Sequence, residues 1–129
     1  MDNPNSTDIP KIGKLNEIID NMKMQGDLSG VILAYKDGRL IVENAEGTYN
    51  FEEFIPLIAS ALRSAEDIGD CVSGRKVKKI IAQLEDISIM ILKTKIKSAF
   101  LALIINEESY VGSILEDFDT LSKQIEENI

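Results

Sequence analysis

The chain has 129 residues and a mass of 14.3 kDa, which is typical of one domain, and 44% of its residues are hydrophobic. Its formal net charge of −8 disfavours nucleic acid and anionic lipid as partners. It contains no histidine and one cysteine, which excludes a Ser-His-Asp or Cys-His catalytic arrangement and an intrachain disulfide.

These features predict a cytoplasmic protein without an enzymatic activity of its own. The most apolar run, residues 99–105, is far shorter than the roughly 20 residues that span a bilayer, so we expect no direct membrane insertion. The carboxylates follow no recognised metal-binding spacing. We therefore expect no catalytic residue, no metal and no cofactor.

The first 45 residues predict a helix followed by a β-hairpin. Residues 1–7 are polar and are expected to form a flexible tail, and apolar residues then recur at helical spacing between residues 9 and 25. Two short β-favouring runs flank Asp37 and Gly38, which predicts a type I′ turn with positive φ at both residues. Lys36 and Arg39 are expected to keep this corner in water.

A second helix is predicted to begin at Asn50, which forms a capping-box pattern with Glu53, and to end near Gly69. Residues 69–76 approach the phosphate-binding pattern G-x-x-x-x-G-K-[ST]. Arg75 replaces its lysine, however, and Lys76 replaces its Ser/Thr. The segment also leaves a helix and enters a strand, so it is interpreted as a helix end and a loop.

Three apolar segments follow, at residues 78–85, 87–93 and 98–105, separated by only a few residues. Gaps this short exclude parallel crossovers and predict an antiparallel meander. The later two segments are apolar on both alternating faces, which predicts a sheet covered on both sides. The first has one hairpin neighbour and is expected at an edge.

A last helix, capped near Ser109, completes the order α-β-β-α-β-β-β-α. This order predicts an α+β fold in which a five-stranded antiparallel sheet has helices on both faces. We expect residues 8–129 to form a single domain.

Particular residues within this order resemble those of the roadblock/dynein light-chain family. Gly30 and Val31 open the first strand, Asp37 and Gly38 form its turn, and residues 54–65 form an alanine-rich amphipathic helix. Gly112 stands early in the last helix. Longin and profilin-like domains share part of this layout and are the structural alternative.

The resemblance implies a homodimeric, non-catalytic scaffold or regulator that binds a small Ras-like GTPase. A structural adaptor subunit, for a motor or a membrane-associated complex and without nucleotide-state preference, is the alternative. The partner copy is the chain itself or a paralogue, and third strands pair into a ten-stranded sheet. Carried onto this sequence, the resemblance places the interface at seven residues: Phe51, Phe54, Ile58, Leu62, Lys79, Ile81 and Gln83.

Charge is distributed unevenly along the chain. Residues 75–97 carry seven basic and two acidic side chains, whereas residues 107–129 carry one basic and seven acidic. Electrostatic steering of a partner and simple solvation of strand ends and a helix face both remain open as explanations.

Overall fold

A computed structural model describes residues 9–95 and 98–129 of the chain. The predicted tail at residues 1–7 and part of the turn at residues 95–97 lie outside these ranges. The described elements are four helices and five strands: α1 (Ile12–Gly26), β1 (Gly30–Tyr35), β2 (Leu40–Ala45), α2 (Phe51–Cys71), β3 (Lys79–Gln83), β4 (Ser88–Lys93), β5 (Ala99–Ile105), α3 (Gly112–Glu116) and α4 (Phe118–Asn128).

The five strands form one antiparallel sheet in the order β2-β1-β5-β4-β3. The predicted meander of the last three strands is confirmed, and β3 is at an edge as expected. The central strand, β5, is almost entirely buried because it has neighbours on both sides and helices above and below.

Two apolar cores lie on opposite faces of this sheet. One face carries Leu33, Leu101 and Leu103 and packs against apolar residues of α1, α3 and α4. The other carries Ile32 and Phe100 and packs against apolar residues of α2. Because successive residues of a strand point to opposite faces, the two-faced apolar segments supply both cores at once. The predicted coverage of both faces is confirmed.

The β1–β2 turn differs from the type I′ turn that the sequence predicts. Gly38 N–H donates to Tyr35 O at 2.9 Å and Tyr35 N–H donates to Arg39 O at 2.8 Å, so the loop contains three residues. Gly38 has a φ of 98°, while Asp37 is not in the positive-φ region. In a three-residue hairpin only the third position needs positive φ. Asp37 instead accepts the Arg39 N–H at 3.1 Å.

The helix ends also differ from the predicted ones. α1 begins at Ile12 rather than near residue 9, and Lys11 N–H donates to Asn128 O at 2.7 Å. Asn50 makes no side-chain capping bond to the start of α2, because its amide donates to the Glu53 carboxylate at 3.2 Å. α2 continues two residues past Gly69.

The predicted last helix is divided in two at Asp117, whose φ of −94° and ψ of 7° depart from helical values. Asp117 N–H donates to Ser113 O at 3.1 Å, and Leu121 N–H donates to Asp117 O at 2.9 Å. The two short helices direct Ile114 and Ile125 into the same core. No helix of the described residues is long and apolar enough to cross a membrane.

Candidate partner-binding surface

β3 is mostly exposed, and Ile80 is its half-buried residue. Ile81 is 52% exposed and Leu84, just beyond the strand, is 55% exposed, whereas β4 buries its central residues. Among the strands of the described residues, β3 pairs with β4 alone. An apolar edge strand that nothing covers is a template for pairing with another chain. We call residues 79–83 the open edge.

The hydrogen-bonding direction of the open edge follows from the β3–β4 turn. Leu84 N–H donates to Ile87 O at 2.8 Å, so Leu84 and Ile87 form a hydrogen-bonded pair. In an antiparallel ladder such pairs alternate with pairs whose main-chain groups point away from the partner. The N–H and C=O groups of Lys79, Ile81 and Gln83 therefore point out of the sheet. These are the three strand residues that the family resemblance selects.

The side chains of Lys79, Ile81 and Gln83 lie on the face of the sheet opposite α2. Ile81 is in register with Met90, which packs in the core beneath α1, α3 and α4. Ile80 is in register with Ile91, which packs beneath α2. The side chains of the predicted interface residues of β3 thus lie on one face of the sheet, and those of α2 lie on the other face.

The four predicted residues of α2 face inward. Ile58 and Leu62 are buried in the core of their own chain, and Phe51 and Phe54 are half-buried against it. The structure therefore gives these side chains a role in the protomer's core, and their place at an interface stays a prediction.

A second series on α2 points outward. Leu57 is 68% exposed and Ile68 is 65% exposed, and Ala61 and Ser64 between them are also exposed. The spacings of four, three and four residues put this series on one side of the helix. We call Leu57, Ala61 and Ile68 the outer stripe. Its helical spacing is present in the sequence. It is hard to recognise there because the inner series has more apolar residues.

The segment between α2 and β3 folds back on the end of the helix through main-chain hydrogen bonds. Gly69 O accepts the N–H groups of Val72, at 3.0 Å, and of Arg75, at 2.9 Å, so these donors are occupied. A Cβ at Gly69 would collide with the Arg75 carbonyl oxygen, so this close crossing requires glycine. The interpretation of residues 69–76 as a helix end and loop is consistent with these contacts.

One ionic cluster ties α2 to the sheet. The Glu66 carboxylate accepts hydrogen bonds from Lys93 Nζ at 2.9 Å and from Lys36 Nζ at 3.0 Å. Partial burial raises the pKa of Glu66, but the hydrogen bonds and charges of Lys93 and Lys36 outweigh it, so the net pKa lies below its usual value. Lys36 thus also makes a structural contact, in addition to its predicted place at the hairpin corner.

A groove of about 740 Å³ lies between the start of β3 and the α3–α4 corner. Leu92, Leu115 and Phe118 line it, together with Lys76, Lys78 and Lys79. Within residues 9–95 and 98–129, no three His, Cys, Asp or Glu side chains are grouped so that they could hold a metal ion.

Compared by sequence, the chain matches no protein-family model and no curated protein. Compared by structure, it is similar to MglB from Myxococcus xanthus, with 14% identity and a TM-score of 0.79 over 90% of this chain and 94% of that one. The gliding protein MglB from Thermus thermophilus gives 12% identity and a TM-score of 0.78 over 89% of this chain and 87% of that one.

A Roadblock/LC7 domain from Streptomyces avermitilis shares 12% identity with a TM-score of 0.74, over 84% of this chain and 92% of that domain. The chain has the Roadblock/LC7 fold. Because the sequence identities are only 12–14%, the similarity shows a shared arrangement of strands and helices and no more. It confirms the fold that the residues in and around β1, α2 and α3 predict.

Proposed function

We propose that the protein is a non-catalytic scaffold that works as a dimer and binds a small Ras-like GTPase. The observation that carries the proposal is the open edge of β3, which leaves three residues with outward main-chain groups and an exposed Ile81. Such an edge favours association with another strand, because pairing satisfies these groups and shields the apolar side chains.

A second copy of the chain, or a paralogue, fits this edge. Two-fold pairing of β3 with its counterpart would join two five-stranded sheets into one of ten strands. A solved structure of MglB has a tetrameric arrangement, which supports self-association for a chain of this fold. Pairing through the main chain does not require Ile81 to contact α2. This agrees with their positions on opposite faces of the sheet.

The outer stripe supplies the second part of the proposed surface. A two-fold axis perpendicular to a sheet keeps the same face of both copies on the same side. The outer stripes of the two α2 helices therefore point in one direction and form a broad surface with exposed Leu57 and Ile68. A rigid surface of this kind can favour one arrangement of a GTPase's switch segments without supplying a catalytic group.

Small-GTPase binding is the part of the proposal that rests on the family resemblance. Its test uses the purified chain and the small GTPases of the same organism, each loaded with GDP or with a non-hydrolysable GTP analogue. We expect one GTPase to co-elute with the chain in one nucleotide state, at a mass that includes two copies of the 14.3 kDa chain.

Binding of both nucleotide states with equal affinity would instead favour the structural adaptor. A failure of every GTPase to bind, with no change in its hydrolysis rate, would contradict the proposed GTPase partner. Sedimentation of the chain alone tests the dimer separately, and a monomer at micromolar concentration would contradict it.

A further inference from the structure

Charged side chains follow a fixed order along β3 and its flanks. The N-terminal side, which we call the basic end, consists of Arg75, Lys76, Lys78 and Lys79. The C-terminal side, which we call the acidic turn, consists of Glu85 and Asp86. All six residues are exposed, and none forms an ion pair with another residue of the described ranges.

The two ends do not neutralise each other within one copy. At about 3.3 Å per residue, Lys79 and Glu85 are roughly 20 Å apart along the strand. This separation exceeds the Debye length, which is about 8 Å at physiological ionic strength. The chain therefore presents a cationic and an anionic end on one exposed strand, although its net charge is −8.

Two-fold pairing brings these opposite ends together. This step rests on the dimer proposed above, in which the strands are antiparallel. The main-chain groups of Lys79, Ile81 and Gln83 point outward, so in a two-fold pair an odd-numbered residue must lie opposite another odd-numbered residue. Three such registers overlap the two strands, and they place residue 79 opposite residue 81, 83 or 85 of the second copy. In each register, position 85 of one copy falls opposite a residue between positions 75 and 79 of the other.

We propose that this charge order makes the open edge specific for a second copy of the same chain. The basic end of each copy contacts the acidic turn of the other, and the two-fold axis doubles every such contact. A parallel approach, or a partner strand with the reverse charge order, would place like charges together and is disfavoured.

Exposed lysines on an edge strand have a competing explanation, because they commonly protect such edges from pairing. The two explanations predict effects of opposite sign. If the lysines protect the edge, reversing their charge strengthens self-association. If they select a second copy, the same change weakens it.

The test uses two charge-reversal variants of the full chain, Lys78→Glu/Lys79→Glu and Glu85→Lys/Asp86→Lys. We expect each variant alone to have a dimer dissociation constant raised at least about 10-fold at low salt, with a smaller difference at high salt. An equimolar mixture should form a heterodimer close to wild-type affinity, which a misfolded variant could not do. Sedimentation equilibrium over a salt series measures all three.

The matched control for Glu85→Lys/Asp86→Lys is Glu17→Lys/Glu127→Lys, which raises the net charge by the same amount at exposed residues of α1 and α4. It should dimerise like the wild type. If a reversed variant does not fold, Glu85→Gln/Asp86→Asn should still weaken the dimer to a smaller extent.

A monomeric wild-type chain would contradict the dimer itself. A wild-type dimer whose affinity is unchanged in both reversed variants would contradict only the charge-order proposal. Tighter self-association of the Lys78→Glu/Lys79→Glu variant would show that the lysines protect the edge instead.

Discussion

Lys36 Nζ lies 3.0 Å from the carboxylate of Glu66 and so links the tip of the first hairpin to the C-terminal half of α2. Lys93 approaches the same carboxylate from β4 at 2.9 Å. Three segments that are distant in sequence therefore meet at one partly buried acid. The contact fixes α2 over the sheet, and α2 carries the outer stripe.

Glu66→Gln is expected to lower the free energy of unfolding by about 1 kcal/mol at neutral pH, because the two ammonium groups lose their anionic partner. The folded-state pKa of Glu66 is lowered, so its contribution is present above the unfolded pKa and is lost as the pH falls through the folded pKa. The difference between wild type and variant should therefore disappear in acid. Urea unfolding across a pH series measures it.

Asp67→Asn is the control for this prediction, since Asp67 is adjacent, exposed and without an ion pair to any described residue. It should leave the free energy of unfolding at neutral pH within about 0.5 kcal/mol of the wild type. A Glu66→Gln variant as stable as wild type at neutral pH would contradict the structural role of the cluster.

Gly38→Ala is expected to destabilise the chain by about 1–2 kcal/mol, because a φ of 98° is strained for any residue with a Cβ. Steric overlap adds little, since the new Cβ would lie 3.5 Å from Pro56 Cγ, an ordinary contact. Thermal unfolding monitored by circular dichroism measures the change.

Gly13→Ala provides the contrasting control. Gly13 lies in the first turn of α1, where an added Cβ meets nothing within 4 Å. This substitution should leave stability unchanged or raise it by up to about 1 kcal/mol. Equal effects of the two substitutions would argue against the three-residue hairpin loop.

The hairpin and the last helix show what periodicity predicts and what it misses. Alternation and short gaps between apolar segments predict five strands and place β3 at an edge, because these properties depend on spacing along the chain. The loop length at Asp37 and the break at Asp117 depend on backbone angles at single residues. An Asp-Gly pair is compatible with more than one turn, and an apolar series that spans a break remains periodic.

The buried and exposed sides of α2 were harder to predict, for a different physical reason. The helix carries an inner and an outer apolar series, and a resemblance to a family identifies the helix without assigning its sides. The stronger series, which includes Ile58 and Leu62, is buried by the sheet. Only the packed structure shows that Leu57 and Ile68 remain exposed.

Leu62→Ala and Leu57→Ala make the same chemical change on opposite sides of α2. Leu62 is 1% exposed, so its truncation should cost about 2–5 kcal/mol of stability through lost burial and a cavity. Leu57 is 68% exposed, so its truncation should change stability by less than about 0.5 kcal/mol. Denaturant unfolding of the two variants side by side measures these differences.

If the outer stripe contacts a partner, Leu57→Ala should weaken binding to that partner by about 10-fold or more while the chain stays folded. Met24→Ala, which truncates an exposed apolar residue of α1, is the control and should leave binding unchanged. Partner binding that tolerates Leu57→Ala and Ile68→Ala together would place the contact elsewhere.

Ile81→Pro and Ala82→Pro test the direction of the main chain in β3. Ile81 N–H points out of the sheet, so proline there removes no bond to β4 but blocks pairing at the open edge. Ala82 is in register with Ile89 at a position whose main-chain groups face β4, so proline there breaks the protomer's own ladder. We expect Ile81→Pro to give a folded monomer with nearly wild-type stability.

Ala82→Pro should lower the free energy of unfolding of the chain itself by about 3 kcal/mol. Sedimentation and urea unfolding separate the two outcomes, and a dimer that survives Ile81→Pro would exclude pairing through the open edge.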